Sequence, residues 1–409
     1  MHDKTSLHKI LKLMKSHFYS CGIVLKSISA IVNFAFMMLR RDNTLRPPLR
    51  ITELLQLTHL GIPLEHITWP RVTMTSDQWI CIRHCLMGSN LENVTVITVL
   101  NPHHTLPQTW KAVADCAQMN PSKPIIAVKA GSTFQIYDLG TRKCLHRCCL
   151  TYTIHFWTWV NSTTIVVVSD TSVYHWYLDD HNSHPVKIFC RDSRMKNAQL
   201  VHYVSDSKMK WFALSGLIAE DNHVIGITQI FSVDHNLCQN IEAHCVCFTS
   251  YQFKGNAQPS CVLIAATRNA NMHGKLHVVE LGPHLSGNLA YTSHTGSIEF
   301  SNEWCRYDFP SSIQVSSKLG LVYIVTKYGV MHLCDMETCT TLCSVNLCTD
   351  VIFSTAFNKE TEGIIAISRN GQVLSVELKK EQLVKYVWEV SKRLHIAERL
   401  SLVLDVDQT

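Results

Sequence analysis

Charge is sparse in this 409-residue chain: 17% of its residues are Asp, Glu, Lys or Arg, while 46% are apolar. That balance excludes a disordered polymer and supplies material for a large buried core. The little charge present is uneven. Residues 1–50 hold nine Lys and Arg against two acidic residues, leaving 28 basic and 30 acidic side chains in the remainder. The body of the chain is therefore near neutral and lacks the basic stripe that nucleic-acid binding requires. Enzyme signatures are missing too. No Gly-x-Ser-x-Gly elbow, phosphate-cradling Gly-rich loop or His-Glu-x-x-His pair occurs, so hydrolase, nucleotide-binding and zinc-protease chemistries lose their usual anchors. The 23 histidines are scattered through turns and strand ends. His175, between Tyr174 and Trp176, reads as a satisfied strand residue rather than a catalytic one. Seventeen cysteines form no pair of Cys-x-x-Cys units. Cys81-x3-Cys85, Cys144-x3-Cys148-Cys149 and Cys245-x-Cys247 miss zinc-ribbon spacing, and an odd count argues against a complete secreted disulfide framework. Buried free thiols are the expectation, with neither metal nor cofactor.

What the chain has in abundance is one repeated design. "VYIVTKYGVMHLCD" (322–335) holds two apolar alternating runs split by Lys327-Tyr328-Gly329, the pattern of an antiparallel hairpin. It recurs as "IIAVKAGSTFQIYD" (125–138), "IVVVSDTSVYHWYLD" (165–179) and "IIAISRNGQVLSVE" (364–377). Looser copies occupy 79–99, 211–234 and 261–280. The seven hairpins start near 79, 125, 165, 211, 261, 322 and 364, spacings of 40 to 61 residues. Such a period predicts an all-β fold, a seven-bladed β-propeller, in which each blade buries its faces against its neighbours. A β-sandwich would turn over every 8–12 residues without this longer period. No Gly-His or Trp-Asp repeat signature accompanies it.

The two ends differ from the middle. Residues 1–48 are a basic and apolar extension containing "CGIVLKSISAIVNFAFMML" (21–39), a run interrupted by Lys26, Ser27, Ser29 and Asn33. It fits a poorly structured extension, a signal anchor weakened by those polar residues, or an acid-poor transit segment that lacks the usual Arg content. The propeller is predicted over 49–380. From 381 to 409 the spacing turns helical, with Leu383, Tyr386, Val387, Val390, Leu394, Ala397, Leu400 and Val403 on one stripe, the start of an α-helical linker. The Asn93-Val-Thr and Asn161-Ser-Thr sequons matter only if the chain is exported.

From residue 50 to about 400 the order of blade motifs resembles the N-terminal propeller of the clathrin heavy chain family. The resemblance rests on "LLQLTHLGI" (54–62), "TMTSDQWICIR" (73–83), "MNPSKPIIAVKAG" (119–131), "TFQIYDL" (133–139) and "FWTWV" (156–160). It continues through "VYHWYLDDHNSHPVKIF" (173–189), "GKLHVVELG" (274–282), "VTKYGVMHLCD" (325–335) and "GQVLSVE" (371–377). In that family the propeller precedes a long helical leg that builds the coat lattice, binds light chains and trimerises. This sequence reaches only what resembles the linker helix, so of these roles the resemblance carries over adaptor docking alone, with coat components as partners if a leg exists.

Docking in the family uses grooves between blades, where short disordered peptides insert as extended segments, apolar anchors in pockets and acids against basic side chains. For the first groove the resemblance implies an apolar floor of Ile126 and Tyr137, a polar wall of Thr133 and Gln135, and a basic Arg142, taking peptides of the form Leu-apolar-x-apolar-acid. The opposite rim departs from the pattern. Trp110 stands where the family has a basic residue, with Lys111 beside it and Ala112 in place of a bulkier aliphatic. Weakened rather than absent binding is implied, because one exposed charge partner is worth about 0.2–1 kcal/mol. A second groove, on the top face, would use Trp69, Gln199 and Val201 for aromatic-containing peptides. A third would use Trp211, Ile230, Gln239 and Ile241, with His235 replacing a basic side chain and making any acidic ligand pH-dependent.

The expected function is thus a non-catalytic adaptor-docking propeller in clathrin-mediated vesicle transport and endocytosis. It would work in the cytoplasm, peripheral on coated pits and coated vesicles, with the short linear motifs of endocytic adaptors as partners and no nucleic acid. Two alternatives stand beside it: a membrane-anchored propeller of unrelated function, and a truncated copy that competes for adaptors.

Overall fold

The computed structural model describes residues 46–87, 93–179, 184–220, 223–269, 271, 273–289, 292–300 and 307–406. The extension up to residue 45, including the run at 21–39, lies outside them, and so does the Asn93 side chain. Each hairpin read from the sequence forms the second and third strands of a four-stranded antiparallel sheet, and there are seven such sheets. Blade 1 comprises Val72–Ser76, Trp79–Met87, Asn93–Asn101 and His104–Lys111; blade 2, Cys116–Met119, Ile125–Ala130, Thr133–Asp138 and Cys144–Cys149. Blade 3 comprises Phe156–Trp159, Thr164–Val168, Ser172–Tyr177 and Val186–Cys190; blade 4, Gln199–Ser205, Trp211–Ala219, Val224–Ser232 and Leu237–Glu242. Blade 5 runs from Cys245–Tyr251 to Ser293–Ile298 and blade 6 from Pro310–Ser316 to Thr341–Asn346. Blade 7 takes three strands, Ile352–Asn358, Gly363–Ser368 and Gln372–Leu378, and is completed by Leu49–Gln56. That last pairing runs from Leu49 opposite Leu378 to Gln56 opposite Gln372 and closes the ring.

The core lies between blades. Tyr251, Ile264 and Val278 of blade 5 pack against Ile313 and Ile324 of blade 6, while Phe134 of blade 2 meets Trp157 of blade 3 edge-on at 5.1 Å. First strands ring the axis, where they have no fifth strand to pair with, and polar side chains take over part of the stitching. Thr73 and Thr75 Oγ1 of blade 1 donate to the carbonyls of Ala117 (3.0 Å) and Met119 (2.7 Å) of blade 2. Gln118 Nε2 donates to the Trp157 carbonyl at 3.2 Å, and Gln314 Nε2 to that of Thr355 at 3.2 Å. His175 is satisfied in the same manner: its Nε2 lies 2.8 Å from the Tyr203 hydroxyl across the seam between blades 3 and 4.

After the propeller come two helices, α1 (Lys380–Glu389) and α2 (Leu394–Val406), which pack on each other. The stripe predicted as continuous is broken. Lys392 adopts φ +54, and the Ser391 and Arg393 N–H groups turn back to the carbonyls of Tyr386 (3.3 Å) and Val387 (3.2 Å). Val390 and Leu394, at the break, stand 48% and 46% exposed, whereas Leu383, Val387, Ala397 and Leu400 are buried. Among the described residues no helix is long and apolar enough to cross a membrane. The thiol expectation also needs correction: Cys81, Cys148, Cys245, Cys334, Cys339 and Cys343 are buried and free, but Cys144, Cys149, Cys190 and Cys238 are exposed on outer strands.

Candidate functional site

A cleft of about 500 Å³ opens between blades 1 and 2. Its floor follows from strand register. Ile126, on the second strand of blade 2, sits opposite Tyr137 on the third, and Val128 sits opposite Gln135, so four alternate side chains share one face. Ile126 is buried while Tyr137 and Gln135 are half-buried. The facing wall is the outer strand of blade 1, where Trp110 pairs with Ile97 and Lys111 with Val96. Trp110, Ala112, Tyr137 and Leu139 rest on a shared apolar cluster containing Ile97, Val99, Met119 and Ile126. The Trp110 ring thus packs as part of the rim.

Arg142 is held at the cleft by its turn. It adopts φ +58, and its N–H donates to the Asp138 carbonyl at 2.9 Å. The Asp138 carboxylate accepts from the Thr141 N–H at 2.6 Å and the Thr141 hydroxyl at 2.8 Å. Those bonds, led by the backbone one, hold its pKa below the usual carboxylate value. The acid is thereby occupied within the turn. Among the described residues neither Arg142 nor Lys111 is in an ion pair, so two cations face an apolar slot with their charge unspent.

Of the first-groove residues, Ile126, Gln135, Tyr137, Arg142, Trp110, Lys111 and Ala112 therefore come together, and Thr133 does not line the cleft. It sits at the other end of its hairpin opposite Ala130, its hydroxyl 3.7 Å from Cys149 Sγ. Sequence reasoning missed Val128, Leu139 and Val113. Val113 was detectable in principle: it is an apolar residue beyond the end of an outer strand, and it stands 91% exposed.

Trp69 and Val201 line a cavity of about 360 Å³ at the ring axis, together with residues from the first strands of several blades; Gln199 does not line it. Gln199 is exposed and paired with Leu217. In the third set, Ile230 is buried opposite Gln239, and Trp211 and Ile241 pack on the apolar cluster between blades 4 and 5. The Trp211 indole N–H donates to the Gly282 carbonyl of the neighbouring blade at 3.3 Å. His235 is exposed in the turn between Val224–Ser232 and Leu237–Glu242, its N–H directed to Ser232 Oγ at 3.4 Å.

Fold and cleft together define a closed propeller with a cation-rimmed apolar groove between blades. Compared with models of protein families, the chain matches none. Against curated proteins it is 36% identical over 355 residues to human clathrin heavy chain 2, 33% over 356 residues to the Drosophila melanogaster clathrin heavy chain and 35% over 350 residues to that of Dictyostelium discoideum. These alignments cover 86–87% of this chain and 20–21% of the relatives. The chain is a clathrin heavy chain-like protein that spans about a fifth of the length of the curated relatives it matches.

Proposed function

We propose that this propeller is a non-catalytic docking module of clathrin-type vesicle traffic, working in the cytoplasm, peripheral on coated pits and coated vesicles. Its partners are extended adaptor peptides of the form Leu-apolar-x-apolar-acid. One observation carries the reading: the blade 1–2 cleft joins an apolar floor of Ile126 and Tyr137 to two unpaired cations, Arg142 and Lys111. Apolar anchors fill the floor, the peptide's acid meets the cations, and weak single-site affinity is offset by several motifs on one adaptor.

Fluorescence anisotropy of a labelled Leu-Ile-x-Leu-Asp peptide with the full chain tests it. Tyr137→Ala should weaken binding about tenfold, the effect of losing one half-buried aromatic anchor worth about 1.4 kcal/mol. Trp110→Arg should tighten it roughly two- to fivefold by restoring a rim charge, and the gain should shrink as salt rises. Binding indifferent to Tyr137 would retire this groove.

A further inference from the structure

The propeller repeats the geometry of its first cleft two blades on. In blade 2, the second residue of the second strand (Ile126) faces Tyr137 on the third; in blade 4, the second residue of the second strand (Phe212) faces Phe231. The turn after each third strand contains a non-glycine residue with positive φ, Arg142 at +58 and Asn236 at +49. Each cleft is walled by the outer strand of the preceding blade, which contributes a lysine: Lys111 in the first, Lys187 in the second.

Between blades 3 and 4 the cavity measures about 540 Å³. Its floor is aromatic, because the Phe212 and Phe231 rings lie nearly parallel with centroids 6.4 Å apart. Lys187 is the one charged side chain among its described lining residues, is exposed, and among the described residues is in no ion pair. The nearby acid Asp234 is already held by Lys210 Nζ at 2.5 Å. Asn161 supplies a weakly held donor: among the described residues its Nδ2 has the Met209 thioether, at 3.6 Å, as its one partner. A thioether is a weak acceptor, so a peptide carbonyl would replace it favourably.

We propose that the blade 3–4 groove is a second docking site, for an extended peptide with two aromatic side chains two residues apart and an adjacent acid. Residues two apart in an extended segment project to one side, which matches the paired rings of the floor. The exposed Lys187 selects the acid, and the Asn161 amide pairs with the peptide main chain. The inference rests on the docking reading only for the class of ligand.

The test is anisotropy of a labelled Ser-Asp-Phe-Ser-Phe-Asp-Ser peptide with the full chain, run beside the leucine peptide. Lys187→Glu and Val233→Asp, both at exposed groove positions, should each weaken the phenylalanine peptide at least fivefold. Tyr137→Ala should leave it unchanged, and circular dichroism should show all variants folded. Indifference to both groove variants, or loss of binding in Tyr137→Ala, overturns the second site. Binding of the leucine peptide alone also overturns it but leaves the docking module standing, whereas failure of both peptides removes the two readings together.

Discussion

Lowering the pH from 7 to 5 should strip roughly 5 kcal/mol from the stability of the propeller, while carboxylates of ordinary pKa stay mostly ionised. The three histidines with the largest shifts account for that figure, and His66, His84, His202 and His277, also lowered by burial, act in the same direction. His175, His244 and His332 are 0%, 1% and 2% exposed, and burial pushes each pKa from 6.5 down to about 4. Burial is the first cause in each case, and for His244 the hydrogen bond to the Val224 carbonyl offsets part of it. His175 meets the Tyr203 hydroxyl; His244 donates from Nε2 to the Val224 carbonyl at 2.8 Å while Nδ1 accepts the Arg268 N–H at 3.3 Å. His332 Nδ1 pairs with Ser344 Oγ at 2.8 Å. As pH falls through 6.5 the unfolded chain takes up protons that the folded one refuses. Stability is therefore intact above 6.5 and is lost towards 4, by about 1.5–2 kcal/mol per histidine at pH 5. Asp308 works in the opposite direction, because burial raises its pKa. Asp192, held at about 2 chiefly by its hydrogen bonds from Arg194, contributes only at lower pH. Urea midpoints at pH 7 and pH 5 check the prediction, and an unchanged midpoint would refute it.

Trp176→Ala should cost about 3–5 kcal/mol. Trp176 is 1% exposed and fills the seam between blades 2 and 3, with the Phe134 ring at 6.3 Å and Ile136, Trp157 and Val167 in the same cluster. Neighbouring strands cannot collapse into the space, since each is tied into its own four-stranded sheet. The whole propeller should consequently melt earlier in one cooperative step, and calorimetry would show it. A separate early transition confined to part of the signal would instead mean that blades 2 and 3 uncouple from the ring.

The seven central hairpins were legible because blades bury them on both faces. Leu321–Thr326 and Gly363–Ser368 are buried at every residue, so they spell unbroken apolar runs. Outer strands keep one face in water: Leu237–Glu242 is exposed or half-buried throughout, and Cys144–Cys149 buries only Cys148. Their patterns are too polar to stand out. Leu49–Gln56 was hardest to place, because its partner lies at the opposite end of the sequence. In the cleft, Ile126 and Tyr137 followed from a visible hairpin. Thr133 shares their strand parity, but the cleft reaches only half the strand length, and no local pattern encodes that boundary. The break between α1 and α2 was likewise hidden, since Ser391-Lys392-Arg393 contains neither glycine nor proline.

The strand that completes blade 7 also sets a clock. Gln372 Nε2 reaches Glu53 Oε2 at 2.7 Å across 319 positions of sequence. At a synthesis rate of ~5–20 residues per second, Leu49–Gln56 leaves the ribosome roughly a quarter of a minute to a minute before its partner exists. Six blades can pair as they emerge, but the ring stays an open arc with a bare strand edge at its start. During that interval the nascent chain is a template for unwanted pairing, and its demand for chaperones should be greatest just before the last hairpin is made.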